Sequence, residues 1–321
     1  MSDPASAAVR RGRWCLVLAA VLWSLSGLGT RLLKHPTALG LNEPALTALQ
    51  IAFFRGLFAG LVLLPAVPFR KIGVRPIMAP MIVLFGVMNA LFISAITDGP
   101  AANAILLQNT APFYVFVFSI LVLREKADTR SVVAITLGLV GMAVIVGGDG
   151  KLFAVGGFAA TRDAVGSGVA YAAVILCLRH LRDQPAAWLS VQNNLGGALC
   201  IALAVATLNG LPFFADWVTT PSLRQVAFLV VFGGLQMALP YYLFARGLQT
   251  VSPQEAGAIT LLEPLLNPVW AYLISPETDT PTSATWIGGA LILGALAYRY
   301  WPRVEAPKVE TGKEEPPEPF V

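Results

Sequence analysis

AILLQNTAPFYVFVFSILVLRE, residues 104–125, and AGAITLLEPLLNPVWAYLISPE, residues 256–277, are the two stretches on which the fold turns. Laid over one another 152 positions apart, they share an alanine (Ala104/Ala256), a proline (Pro112/Pro264), Val117/Val269, Leu121/Leu273 and a closing glutamate (Glu125/Glu277). In both copies the glutamate follows the proline by thirteen residues and closes a long apolar run. Such spacing reads as one unit written twice.

The rest of the chain supports a membrane setting for that unit. Of 321 residues 56% are hydrophobic and only 12% charged, with a mean hydropathy of +0.69. Soluble domains carry about 25% charge, so this supply cannot cover a water-facing surface. The fold class expected is an all-α polytopic membrane protein whose length is taken up by spans. The net charge of +4 does not point to nucleic acid, because the lysines and arginines gather at span ends. Cys15, Cys177 and Cys200 all fall in apolar segments without a CxxC or Cys/His cluster, which argues against disulfides and zinc. Arg10, Arg11 and Arg13 precede an apolar run with no small-x-small cleavage site, so the first helix is expected to stay uncleaved.

Apolar runs near twenty residues predict ten transmembrane helices, at about 14–33, 45–67, 77–97, 101–123, 131–148, 164–181, 186–208, 225–248, 254–275 and 283–300. The expected units are a tail at 1–13, a first five-helix repeat at 14–148, a second at 164–300, and a disordered proline- and glutamate-rich tail at 302–321. With the N-terminus inside, 16 basic residues fall in cytoplasmic segments against 5 in outer loops, Arg31 and Lys34 among the latter, and Arg55 lies within a span. Excess positive charge inside sets the orientation, with both termini cytoplasmic and the protein in the cell membrane. Five spans per unit make the two copies inverted repeats. Inverted, proline-interrupted bundles are an architecture of secondary transporters, which bind substrate between the halves near the bilayer midplane.

Several local patterns resemble one known group. They are LAAVLWSLSG with Trp23-Ser24, IAFFRGLFAGLVLLP with Arg55, AANAILLQNTAPFYVFVFSILVLREK, LLEPLLNPVWAYLISPE and WIGGALILGAL. Over about 13–300 the chain is similar to the ten-span EamA branch of the drug/metabolite transporter superfamily. It departs from that pattern at Ser275-Pro276 and in the tryptophan-free span GSGVAYAAVIL. The resemblance implies a helical bundle with a central cavity lined by spans 1, 3, 4, 6, 8 and 9, and the carriage of small metabolites, with amino-acid exporters prominent.

Candidate site residues follow from what a bilayer penalises. Glu263 lies near the middle of span nine, where a charged side chain costs about 2.5–3.5 kcal/mol and should face the bundle interior. Pro264 and Pro268 free backbone carbonyls around it. It is the candidate for proton coupling and for binding an amine; the plainer reading is a neutral carboxyl bonded to neighbouring helices. Arg55 reads first as structural, paired with Glu263 or snorkelling along its helix, and second as a ligand for a substrate carboxylate. Gln108 and Asn109, with Asn267, offer amides to a cavity or to neighbouring helices. Trp23, Tyr171, Gln236, Tyr241 and Trp270 form a candidate wall for stacking or cation–π contact, the alternative being lipid-facing packing. Gln192, Asn193 and Asn194 read as interhelical glue. Pro112, Pro264, Glu125 and Glu277 are assigned structural roles. The glycines Gly138/Gly141 and Gly288/Gly289/Gly294 allow close packing, inside one chain or between two copies.

A secondary transporter of a small-molecule substrate by alternating access is the leading expectation, as monomer or homodimer in a lipid bilayer. A membrane enzyme is disfavoured, since His35 and His180 sit at opposite span ends and no HExxH or GxSxG occurs. A sensor or scaffold without flux is the third reading. No GxxxxGK[ST] stretch or cofactor motif is present, so uphill movement draws on an ion or substrate gradient.

Overall fold

The structure is a computed structural model that describes residues 4–121, 129–148, 157–181, 183–251, 256, 259–260 and 262–300. Among the described residues every regular element is helical, with no strand. That is the outcome lipid demands of an open chain, since each backbone N–H must find its carbonyl within its own segment. Among the described residues six stretches are long and apolar enough to cross a membrane: Ala7–Lys34, Ala48–Ala66, Met78–Asp98, Gly157–Leu178, Ala186–Asn209 and Leu223–Gly247. Val132–Ile145 and Ser283–Tyr298 are shorter apolar helices.

Several helices are interrupted, and the interruptions have local causes. Helices α1 (Pro4–Trp23) and α2 (Ser26–Lys34) are parted by a turn at Ser24-Leu25, where Ser24 Oγ donates to Val21 O over 2.7 Å. After α3 (Ala48–Leu63) and α4 (Met78–Asp98), helices α5 (Ala101–Gln108) and α6 (Ala111–Leu121) are parted at Asn109-Thr110. Pro112 is the second residue of α6, where the missing N–H is not needed. The break therefore precedes the proline.

Helices α7 (Thr129–Gly148), α8 (Gly157–His180), α9 (Ala186–Asn209), α10 (Leu211–Thr219) and α11 (Leu223–Gly233) follow. Between α11 and α12 (Leu239–Gly247) lies a π-helical turn, Gly234–Ala238. Pro240 explains it: its ring presses on the carbonyl four residues back, and Leu239 N–H bonds to Gly234 O, five residues back. Helix α13 (Leu262–Ile274) keeps Pro268 inside it, the short α14 (Pro276–Asp279) follows, and α15 (Ser283–Tyr300) closes the chain.

Two packing groups, one around α13 and one around α8, meet where α13 packs on α5 and α2 on α4. α1 lies on α12 and α13, and α2 on α13; α8 lies on α4, α5 and α6. α3 and α9 back the bundle, with Trp217 of α10 stacked on Phe214 and tilted over Phe53. α7 packs on α15, and a Cβ added at Gly141 would meet Gly288 O at 2.6 Å. Gly141 and Gly288 thus join α7 to α15 within one chain, so this pair is spent on an internal contact. The main buried core runs through Ile51, Ile93, Ile96, Ile105, Leu107 and Ile292.

Candidate functional site

The interruption between α1 and α2 collects most of the polar and aromatic candidates. An opened helix turn leaves backbone groups and short polar side chains that neighbours must satisfy. Trp270 Nε1 donates to Ser24 Oγ (2.9 Å) and Asn267 Nδ2 to Ser26 Oγ (2.6 Å), both from α13. From the π-turn, Gln236 Nε2 donates to Trp23 O (3.2 Å). The Trp23 ring meets Tyr241 edge to face at 5.3 Å and Phe244 at 5.3 Å. Trp23, Gln236, Tyr241, Asn267 and Trp270 therefore converge from three separate stretches of chain. Asn267 Oδ1 is buried without a hydrogen bond among the described residues.

Arg55 is buried on α3 and does not pair with Glu263. Its guanidinium donates to Asn89 Oδ1 and to Gln236 Oε1 (3.3 Å), and it sits 5.8 Å from the centroid of the Phe232 ring. Asn89 in turn donates to Ala52 O (3.0 Å). Gln236 thus accepts from Arg55 and donates to Trp23 O, joining the buried cation to the α1/α2 turn through one amide. Arg55 Nε has no hydrogen-bond partner among the described residues.

Glu263, at the second position of α13, is half-buried and makes no hydrogen bond among the described residues. On the other packing group, Gln108 is buried where Gly168 of α8 comes close: a Cβ there would meet Leu107 O at 2.9 Å and the Gln108 backbone at 3.5 Å. Asn109, half-buried at the α5/α6 break, turns back on its own helix, with Nδ2 donating to Ile105 O (2.8 Å). Tyr171 is exposed on α8, one turn after Gly168. Among the described residues the polar run on α9 makes less glue than expected: Asn194 Nδ2 donates to Ser190 O of its own helix, and Gln192 Nε2 and Asn193 Oδ1 are buried without a partner. Pro264 is buried in the first turn of α13 and Glu277 is exposed on α14, while Glu125 lies outside the described residues.

The EamA-like transporter family matches this chain twice, at residues 10–147 and 164–300. The chain belongs to that family. As an EamA-like chain it is a multi-pass membrane protein, and its relatives are named as transporters. An uncharacterized transporter of Archaeoglobus fulgidus is 30% identical over 90% of this chain and 96% of its own. A pseudopaline exporter of Pseudomonas aeruginosa is 27% identical over 87% of this chain and 93% of its own. An S-adenosylmethionine uptake transporter of Rickettsia prowazekii is 21% identical, with 88% and 92% covered. One solved crystal structure shares the fold at a TM-score of 0.56 and 20% identity, covering 92% of this chain and 98% of the other.

This EamA-like chain also holds a cluster that its sequence does not announce. Arg31, at the end of α2, donates from Nε to Asp279 Oδ2 (2.7 Å) and from Nη2 to Asp279 Oδ1 (2.9 Å), with side-chain exposures of 1% and 0%. Nη2 also donates to Gly99 O (2.7 Å), and Ala101 N–H donates to Asp279 Oδ1 (2.8 Å). Nearby, His35 Nε2 is 3.4 Å from Ser275 Oγ. Burial first, then the positive Arg31, holds the His35 imidazole below its usual range. By position Arg31 reads as a loop charge; the only advance signal was its place one turn inside the end of an apolar run.

Proposed function

We propose that this protein is a secondary transporter, acting as an exporter of small metabolites such as amino acids or organic amines. In this reading ten spans form two inverted five-helix halves, both termini lie in the cytoplasm of a cell-membrane protein, and the site alternates between the two faces. Glu263 is the proton-coupling group and a ligand for a substrate amine. Gln108, Asn109, Gln236 and Asn267 supply amides, and Trp23, Tyr171, Tyr241 and Trp270 supply aromatic faces. Arg55 anchors Gln236 from behind.

The observation that carries the reading is the half-buried Glu263 carboxylate, which makes no hydrogen bond among the described residues. A carboxylate in an apolar bundle is costly unless protonated or paired. Exchange between a proton and a cationic substrate offers both remedies in turn. Two relatives are named for transport of particular compounds, pseudopaline and S-adenosylmethionine, one outward and one inward.

The test starts from a thermal-shift screen of the purified protein against a metabolite panel, followed by flux of the hits in proteoliposomes. Wild-type flux should follow an imposed pH gradient, and Glu263→Gln should abolish that dependence. Unchanged pH dependence in Glu263→Gln removes the coupling role, and no flux for any stabilising compound removes the transporter reading.

A further inference from the structure

We infer that the Arg31–Asp279 pair is a latch, shutting its end of the cavity by gripping the backbone of the turn between α4 and α5. The inference rests on the transporter reading above, since a latch needs an access path to close.

The pair sits at one end of the bundle, where α2, the Gly99-Pro100-Ala101 turn and α14 meet. Its two charges neutralise one another bidentately, and each offers one more bond to the turn. Arg31 Nη2 takes the carbonyl of Gly99, and Asp279 Oδ1 takes the N–H of Ala101. That N–H belongs to the first residue of α5, one of the donors a helix start leaves unsatisfied. The pair thus also caps α5 from outside its own segment.

The grip crosses the division between the packing groups. Arg31 and Asp279 ride on α2 and on the segment following α13, which pack on one another, whereas the turn joins α4 and α5, both packed on α8; the two sets also touch directly, α13 on α5 and α2 on α4. Separating the groups at this end breaks two hydrogen bonds to backbone, along with the α13–α5 and α2–α4 packing beside them, and leaves the ion pair whole. No charge has to be parted from its partner. A buried ion pair stabilises a fold no better than apolar residues of similar volume, and its best-attested use is in specifying register or a switch. Here it offers a neutral, rigid edge that can let go of the turn without parting two charges. In the proposed orientation this is the outer end, so the arrangement described is shut to the outside.

Ala101→Pro tests the latch without removing a charge. Proline is favoured at the first position of a helix, and Pro100 before it already has the extended backbone (φ −62, ψ 129) that a following proline requires. The substitution deletes the N–H and sets ring carbon against Asp279 Oδ1. The reporter is a cysteine at Asn109, whose side chain among the described residues bonds its own helix and lies roughly 12 Å along α5 from Ala101. It is placed in a background lacking Cys15, Cys177 and Cys200. Labelling by a membrane-impermeant maleimide is followed in vesicles from the face that labels a cysteine at Glu277.

Ala101→Pro should raise the labelling rate from that face about tenfold or more, the shift that losing one charge-assisted hydrogen bond gives a two-state ratio. Asp279→Asn, which keeps the side-chain shape but breaks the charge pair, should raise it too and serves if the proline variant does not fold. An unchanged rate in a folded, monodisperse variant overturns the latch and leaves the pair as a static tie. The readout needs no substrate, so a failed flux assay and a failed latch are separate results.

Discussion

Arg31 and Arg55 hold a guanidinium in an apolar bundle in two different ways. Arg31 has a carboxylate of its own, while Arg55 has amide oxygens and the face of Phe232. Removing one member of a buried ion pair strands the other, at a cost of about 3–5 kcal/mol. Arg31→Met should therefore lower unfolding stability in detergent by that order, and Arg31→Met/Asp279→Leu should recover most of it. If the double variant is no more stable than the single one, the loss comes from packing rather than from a stranded charge. Arg55 was legible as an intramembrane cation, because any window of apolar residues exposes it. Its partners were not, since Gln236 lies 181 positions away and Asn89 lies 34 away. Arg31 reads as a loop charge for the same reason, with Asp279 248 positions distant.

At the level of elements, proline and glycine did much of the signalling. Pro240 and Pro268 mark a π-turn and a helix interior, and Pro112 starts a helix after a break. The break at Ser24-Leu25 carries no proline or glycine, and only the bonds from α13 and the π-turn show why it is tolerated. Two capping boxes were legible in principle as S/T-x-x-Q ahead of an apolar run. Thr47/Gln50 starts α3 and Ser222/Gln225 starts α11. In each the glutamine also reaches outward, Gln50 Nε2 to Trp217 O (2.7 Å) and Gln225 Nε2 to Leu41 O (2.8 Å). The α7–α15 contact gives a further prediction. With backbone at 2.6 Å from any Cβ at Gly141, Gly141→Leu must push the helices apart, at a cost of about 1–3 kcal/mol. Thermal unfolding should record that loss, and an unaltered midpoint would show that α7 and α15 do not need the close approach.

Across the whole molecule, the latch end is open to titration. His35 is surrounded by Arg31 and Lys34 on its own segment and by Asp279 and Glu277 on α14. Its folded pKa lies below the ordinary 6.5, through burial and then Arg31. The sign follows: an opened state takes up the proton first, so the closed arrangement is fully favoured above 6.5 and weakens as pH falls below it. Maleimide labelling of the Asn109 cysteine should rise on acidifying the latch face, and His35→Asn should flatten that rise. A rise that persists in His35→Asn assigns the effect to another group. What the amino-acid order determined by itself was the helical, membrane-embedded class and the doubled unit, because hydropathy and a repeated spacing are properties of local sequence. Only the tertiary structure decided which polar groups meet. Burial removes water as a partner, so each polar group depends on whichever distant helix the packing sets beside it.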